Sequence, residues 1–350
     1  MSAMKVGIIG AGTISADHIT GYQHNGAEVT VLCDRHEDRA AAKAAEFGIA
    51  KVCTRVEDLL ADPDIDAISI ATPVASHTPL VVQALEAGKH VLCEKPPAMD
   101  AAEVEACIAA RDQAGKILQY GFVYHHVSDI LTLRERYLAG EFGRVTYAEA
   151  MRMNRCINPG GWFNDKRFTK GGSLFDAAIH EIDGLLFILN YPEIASVRSF
   201  LRYENGDLHR RLGLTGKAYA SSSVGDYESN VETSGTIFAV CRDGTPLVLR
   251  SASALCVAEE SCRIRIDGTN AGALWDGRKD ITYVRLEDEG FREESVPHSN
   301  RHEFDGEMEN FLAACRGEAP CRATAEMALS LMRFYDAVYR SDAEGREILL

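Results

Sequence analysis

The sequence predicts two fold classes in succession. An α/β portion built on a doubly wound parallel sheet comes first. An α+β portion follows, with an open, mostly antiparallel sheet and helices on one face. Short apolar strands at 4–10, 28–33, 67–71, 90–93 and 117–121 alternate with helical stretches at 13–24, 37–46, 76–87 and 101–114. That alternation is the rhythm of a parallel sheet with helical crossovers. Beyond residue 122 the rhythm changes. Strand-like runs at 231–240, 247–255, 263–266 and 281–286 follow one another, with Asp-Gly turns expected at 243–244 and 267–268. A strand at 144–152 and helices at 126–139, 173–190, 301–315 and 322–340 complete this portion. The expected domains are therefore 1–122 and 123–350.

The first strand runs into Gly10-Ala11-Gly12, and Thr13-Ile14-Ser15 open the first helix. Glycines here let the backbone turn tightly and approach a pyrophosphate, which the helix start meets with its N–H groups and positive dipole end. Gly10, Gly12, Thr13 and Ile14 are thus candidate cofactor residues, although Ser15 stands where a third glycine is usual. The second strand ends in Asp34, 22 residues after Gly12, where a carboxylate meets an adenosine ribose. Its charge favours NAD over a 2′-phosphate, while Arg35 beside it could pair with that phosphate. NAD is the expected cofactor, with NADP or dual use as the alternative. Gly88 and Gly115 each follow a helix as C-terminal caps do.

A chain of 350 residues with 25% charged and 46% hydrophobic residues is ordinary globular material. A net charge of −15 argues against nucleic acid and anionic membranes as partners. No stretch is long and apolar enough for a membrane span or leader. The ten cysteines are scattered with no Cys-x-x-Cys, which predicts reduced thiols in a cytoplasm and no zinc site. There is no internal repeat, and Ser221-Ser222-Ser223 is too short to count as low complexity.

Two constellations carry chemistry. Thr72 and Pro73 lie at the carboxyl end of one parallel strand, and Glu94-Lys95-Pro96 at the end of the next, where ligands of open α/β sheets bind. Lys95 is either a positive charge for a reacting oxygen or a surface lysine on a loop. The second is Gly171-Gly172-Ser173-Leu174-Phe175-Asp176-Ala177-Ala178-Ile179-His180. Asp176 and His180 are four apart on an expected helix and share a face. The pair serves either as an oriented general base or as a buried histidine satisfied by its neighbour. A metal needs a third ligand, and Glu181 and Asp183 point elsewhere.

Together these segments resemble the glucose–fructose oxidoreductase, inositol dehydrogenase and MocA family. The resemblance runs from Met4 to Leu350 and includes Ala71-Thr72-Pro73 with His77, Gly88-Lys89-His90 through Pro96, the Gly-Gly-Ser-x-x-Asp-x-x-x-His stretch, and Ile266-Asp267-Gly268-Thr269-Asn270-Ala271-Gly272. It implies a nicotinamide-dependent oxidoreductase acting on a sugar, inositol or related polyol. By the same resemblance Lys95 polarises the substrate oxygen, His180 exchanges its proton and Asp176 holds the hydroxyl. Glu94 would hold the nicotinamide ribose, and Thr72, Pro73 and His77 would line the cofactor channel. A glycosidase of the same fold using transient oxidation is the alternative, and a non-catalytic NAD-binding regulator is a third.

The family often has an arginine after the last strand of the first sheet; this chain has Gly121-Phe122-Val123-Tyr124-His125-His126. Tyr124, Arg152, Asn154 and Trp162 are candidate substrate contacts, with Arg155, Phe163, Asp165 and Lys166 nearby. Trp162 stacks on a sugar or belongs to a core or subunit contact. His125-His126 is expected as a helix start with solvated rings, and His298 and His302 as solvated side chains. The second sheet, covered on one side, is expected to pair through a face near Phe238, Val240, Leu247, Leu249 and Ile264, giving a homodimer or homotetramer.

Overall fold

The computed structural model describes residues 3–157, 160–212, 227–277, 279–298 and 302–350, so the Ser221–Ser223 run lies outside the described residues. The chain divides into two compact units, residues 1–126 with 301–332 and residues 127–300 with 333–350.

The first unit alternates β1 (Lys5–Ile9), α1 (Ile14–His24), β2 (Glu28–Cys33), α2 (Glu37–Phe47), β3 (Lys51–Cys53), α3 (Val56–Leu60), β4 (Ala67–Ile70), α4 (His77–Glu86), β5 (His90–Cys93), α5 (Ala101–Ala114) and β6 (Leu118–Tyr120). The six strands are parallel in the order β3-β2-β1-β4-β5-β6. In β1, β4 and β5 every residue except Lys5 and His90 is buried, which is why these strands read as unbroken apolar runs. The edge strand β3, of three residues, and α3, of five, are too short for a periodicity to show in the sequence.

The second unit contains α6 (Ser128–Leu138), β7 (Val145–Met153), α7 (Ile179–Ile188), β8 (Ile194–Arg202), α8 (Leu208–Arg211), β9 (Ser234–Cys241), β10 (Pro246–Ala252), β11 (Ser261–Gly268), β12 (Ala271–Trp275), β13 (Ile281–Glu287) and β14 (Gly290–Val296). Past α9 (Glu303–Cys315) and α10 (Ala325–Glu344), β15 (Ile348–Leu349) completes a sheet ordered β14-β13-β12-β11-β7-β10-β9-β8-β15. Its neighbours are antiparallel except β7 and β10.

Three expectations change here. Residues 301–332 belong to the first unit rather than to a continuous 123–350 domain. The reason is packing: Phe304, Met308, Phe311 and Leu312 of α9 join Ile19 and Tyr22 of α1 in one core. Gly21 permits that approach, because a Cβ there would lie 2.9 Å from Met308 Cγ. Asp243-Gly244 does sit between β9 and β10, but Asp267-Gly268 lies inside β11, and the turn falls at Thr269-Asn270. Gly268 is there for closeness, since a Cβ would stand 2.2 Å from the Phe142 carbonyl oxygen.

The third change concerns the faces of the second sheet. Leu247 pairs with Ala239, Leu249 with Ile237, and both face Ala148 and Ala150 of β7. That face, with Ile264, is fully buried, and α7 packs on β7 and β11. Phe238 pairs instead with Val248, one residue out of step, and is 49% exposed. A one-residue offset reverses every side chain of a strand. Leu247, Leu249 and Ile264 therefore belong to the covered side, and the open side carries Phe200, Phe238, Val240, Leu274, Leu286 and Phe291.

Candidate active site

In the first unit the candidate residues collect at the carboxyl ends of the parallel strands. Gly10 has φ +104°, and a Cβ there would overlap the Ala71 carbonyl oxygen at 2.3 Å, so the β1 turn presses against the end of β4. A Cβ on Gly12 would meet nothing within 4 Å, which leaves the open approach that a pyrophosphate needs beside the start of α1. Ser15 turns its hydroxyl back to the Gly12 carbonyl at 2.8 Å. Asp34 Oδ2 accepts from the Ala11 N–H at 2.8 Å and Oδ1 from the His36 N–H at 2.9 Å, tying the end of β2 to the glycine turn. Arg35 is exposed. These residues fit a dinucleotide.

His77 is fully buried. Its Nδ1 lies 2.9 Å from the Pro96 carbonyl oxygen and its Nε2 2.8 Å from that of Thr72. The ring thus joins the loop after β4 to the loop after β5. Burial pushes its imidazole below the usual range, and the two carbonyls oppose this without reversing it. Ser76 Oγ contacts Thr72 Oγ1 at 2.8 Å and the Pro73 carbonyl at 2.7 Å, holding the same loop. Glu94 is 6% exposed and Lys95 half-buried, and the Lys95–Pro96 peptide is cis. Gly121 lets the chain after β6 pass Glu94, whose Cα would lie 3.1 Å from a Cβ there.

In the second unit the Asp176–His180 segment begins as a π turn, Ser173–Ala177, before α7 takes over at Ile179. The Ala178 N–H reaches the Ser173 carbonyl, five residues back, at 2.9 Å. The spacing of Asp176 and His180 therefore crosses a π-to-α junction rather than lying on one regular helix, an arrangement often found at functional sites. From Gly171 to Leu189 every residue is buried except Asp176, Ala177 and His180.

The anchor of this segment is Glu232, which sequence reasoning missed. Its carboxylate accepts from the Gly172 N–H at 2.8 Å, the Leu174 N–H at 3.0 Å and the Tyr339 hydroxyl at 3.1 Å. Burial raises the Glu232 carboxyl, and these donors only partly offset it. The Tyr335 hydroxyl donates to the Leu174 carbonyl at 3.0 Å. Gly171 is required by crowding, for a Cβ would fall 1.7 Å from Tyr339 Oη. No local motif announces Glu232, because it is 60 residues from its partner Gly172.

The other candidates are placed as follows. Arg152 Nη1 donates to the buried Glu181 Oε1 at 2.8 Å. Asn154 is half-buried at the end of β7, its N–H donating to the Ala252 carbonyl at 2.8 Å. Trp162 stacks on Phe163 at 3.7 Å between centroids, and Lys166 lies over the Tyr203 ring. Arg155 donates to the Val257 and Ala258 carbonyls, and Asp165 is held by Arg167. In the first unit Tyr124 packs against the apolar core.

His125 and His126 are buried, not solvated, and the helix begins only at Ser128; the 3-10 turn Val123–His126 is packed by α9 instead. His298 is likewise engaged, with Nδ1 2.5 Å from Asp129 Oδ2, which also accepts from Trp275 Nε1 at 3.2 Å. His302 is exposed at the N-cap of α9.

Comparison with known proteins gives this geometry a context. The family described as "Oxidoreductase family, NAD-binding Rossmann fold" matches residues 4–122, and "GFO/IDH/MocA C-terminal domain" matches residues 130–274. D-glucoside 3-dehydrogenase of Escherichia coli (strain K12) is 31% identical over 357 aligned positions, covering 100% of this chain and 98% of that protein. An oxidoreductase domain protein from Kribbella flavida superposes with a TM-score of 0.87 at 23% identity, covering 100% of this chain and 99% of that one. Levoglucosan dehydrogenase in complex with NADH superposes with a TM-score of 0.84 at 19% identity, covering 99% of each chain; these two likenesses speak for the fold alone. The glycine turn and the two matched domains define an NAD-binding oxidoreductase. The chain belongs to the Gfo/Idh/MocA family.

Proposed function

We propose that this protein oxidises a hydroxyl-bearing carbon of a sugar, inositol or related polyol to the keto level with NAD. The observation that carries this reading is the exposure pattern of the Gly171–Leu189 segment, where the two polar side chains left accessible are Asp176 and His180. Bound NAD supplies a hydride acceptor at the nicotinamide C4. His180 takes the hydroxyl proton, Asp176 orients the hydroxyl and imidazole, and the Lys95 ammonium steadies the developing alkoxide. Gly10, Gly12, Thr13 and Ile14 receive the pyrophosphate, Asp34 the adenosine ribose, and Glu94 with Thr72 and Pro73 the nicotinamide end. Residues 1–126 with 301–332 are the cofactor unit, and the remainder the substrate unit. A relative, D-glucoside 3-dehydrogenase, matched over nearly its whole length, supports this reading.

The open face of the second sheet is covered by a second copy of the chain, giving a dimer or tetramer. The apolar residues Phe200, Phe238, Val240, Leu274, Leu286 and Phe291 exposed there support this. All ten cysteines are free thiols and no helix among the described residues is long and apolar enough to cross a membrane, which supports a cytoplasmic setting.

The test is a panel of glucosides, free sugars, inositols and anhydrosugars with NAD, followed by nicotinamide absorbance. Reduced cofactor accumulating with at least one polyhydroxy substrate is the expected result. Release of a chromophore from a nitrophenyl glycoside without net cofactor reduction would replace this reading with the glycosidase.

A further inference from the structure

Two titratable side chains beside Glu94, under the cofactor end of the first sheet, have no role above. His18 of α1, Glu94 after β5 and Glu307 of α9 are all buried, and one nitrogen or oxygen from each lies within 4.8 Å of the others. His18 Nε2 donates to Glu94 Oε1 at 2.8 Å, and its Nδ1 lies 2.6 Å from Ser69 Oγ. The Lys95 N–H donates to Glu94 Oε2 at 3.0 Å, so both oxygens of Glu94 are engaged. Glu307 is 0% exposed, and neither of its carboxyl oxygens has a hydrogen-bond partner. The cluster has the donor types of a metal site but not the spacing. A tetrahedral ion with bonds of ~2.0–2.1 Å holds its ligand atoms about 3.3 Å apart. The contact between His18 and Glu94 is a hydrogen bond with a proton in it.

Two carboxyl groups this close do not both ionise when buried. Their surroundings separate them. Burial raises the Glu94 carboxyl, but the His18 hydrogen bond and charge and the Lys95 ammonium and N–H outweigh it, leaving Glu94 below the usual range. Burial, then the charges of Glu94 and Glu303, push Glu307 well above it. The other titratable groups around Glu307 are His18 and Tyr22 on α1, Cys321 before α10, and His126, whose backbone abuts Gly306. None of these is a lysine or arginine, and both ring nitrogens of His18 are taken, by Glu94 and by Ser69.

We propose that His18 and Glu307 are positioning residues for Glu94: His18 clamps one carboxylate oxygen, and Glu307 stands beside it as a neutral carboxylic acid, so that Glu94 remains the single anion of the cluster. The proposal deepens the assignment of Glu94 to the nicotinamide end and rests on it. Its test uses NAD and the full chain without substrate, so its failure is distinct from a failure of the substrate reading.

An acid that holds its proton more tightly when folded contributes full stability below the ordinary carboxylate range and loses it as pH rises toward the raised value. Urea unfolding from pH 5 to 9 is therefore expected to show wild-type stability falling relative to Glu307→Gln as pH rises. The infrared difference spectrum between the two at pH 7 should contain a carboxylic-acid carbonyl band belonging to the wild type. His18→Ala should weaken NAD binding by about tenfold or more, as loss of a charge-assisted hydrogen bond implies, and His18→Gln should restore part of it. Glu307→Gln should retain more affinity than Glu307→Ala. A stability difference independent of pH, absence of the carbonyl band, NAD affinity unchanged in His18→Ala, or stoichiometric zinc surviving dialysis against chelator would each overturn the proposal.

Discussion

The two sheets of this protein solve the same problem in opposite ways. β1, β4 and β5 bury both faces, so their functional groups are pushed to the strand ends, where glycine turns and short loops present them. β9 alternates buried and exposed residues, and its sheet gives one face to helices and leaves the other bare. In the first unit the candidate site is written in contiguous motifs: Gly10-Ala11-Gly12, Thr72-Pro73 and Glu94-Lys95-Pro96. In the second, the Gly172–Leu174 backbone that leads into Asp176 and His180 is held from a distant part of the chain, by Glu232 with Tyr339 behind it. A site built at strand ends is local in sequence; a site built on one helix start is not.

The largest effect expected from this contrast is chemical. His180→Ala and Lys95→Ala should each lower kcat by ~10²–10⁴-fold, the usual range for a general acid–base group, with NAD binding largely retained in His180→Ala. Steady-state rates and cofactor titration by fluorescence check this together. Near-normal turnover in folded His180→Ala would remove it from the mechanism and leave the Asp176–His180 segment structural.

Next comes the anchor. Glu232→Ala strips the Gly172 and Leu174 N–H groups and the Tyr339 hydroxyl of their shared acceptor in a buried place. Leaving buried donors unsatisfied costs about 1–3 kcal/mol each, so a clear drop in Tm should accompany a drop in kcat. Glu232→Gln, which keeps an acceptor oxygen, should recover part of both. If kcat survives in Glu232→Ala at a temperature where the variant is folded, the segment keeps its geometry unaided and the contrast between the units weakens.

How much was legible follows the same division. The parallel strands, the glycine turn and the position of Asp34 were visible because each depends on neighbours in sequence. The face of the second sheet was misjudged for Leu247, Leu249 and Ile264 because register, not composition, decides which side a residue takes. β14 escaped notice because it is an exposed edge strand rich in charge, and β12 because Ala271-Gly272-Ala273 is a poor strand former. α9 joined the first unit through Phe304, Met308 and Phe311, contacts that span most of the chain length. The roles of His18, Glu232 and Glu307 are hidden in the sequence for the same reason: a buried polar residue shows its role only when its distant partner is known.

The smallest effect tests the bare face. If a second copy covers it, sedimentation should show a species at least twice the chain mass, and a charge at Phe238, which is 49% exposed in the single chain, should weaken that association. Burying a side chain of this size contributes roughly 1.5–3 kcal/mol, so Phe238→Asp should raise the dissociation constant by at least about tenfold. The substitution leaves the opposite face, with Leu247, Leu249 and Ile264, intact, so the fold and the Asp176–His180 segment should persist in the dissociated chain. Wild-type protein that sediments as a monomer at every concentration would show that the face is solvent-facing in solution. The row of charged residues it also carries, Arg250, Arg263 and Arg265 among them, would then suffice to keep an apolar sheet surface in water.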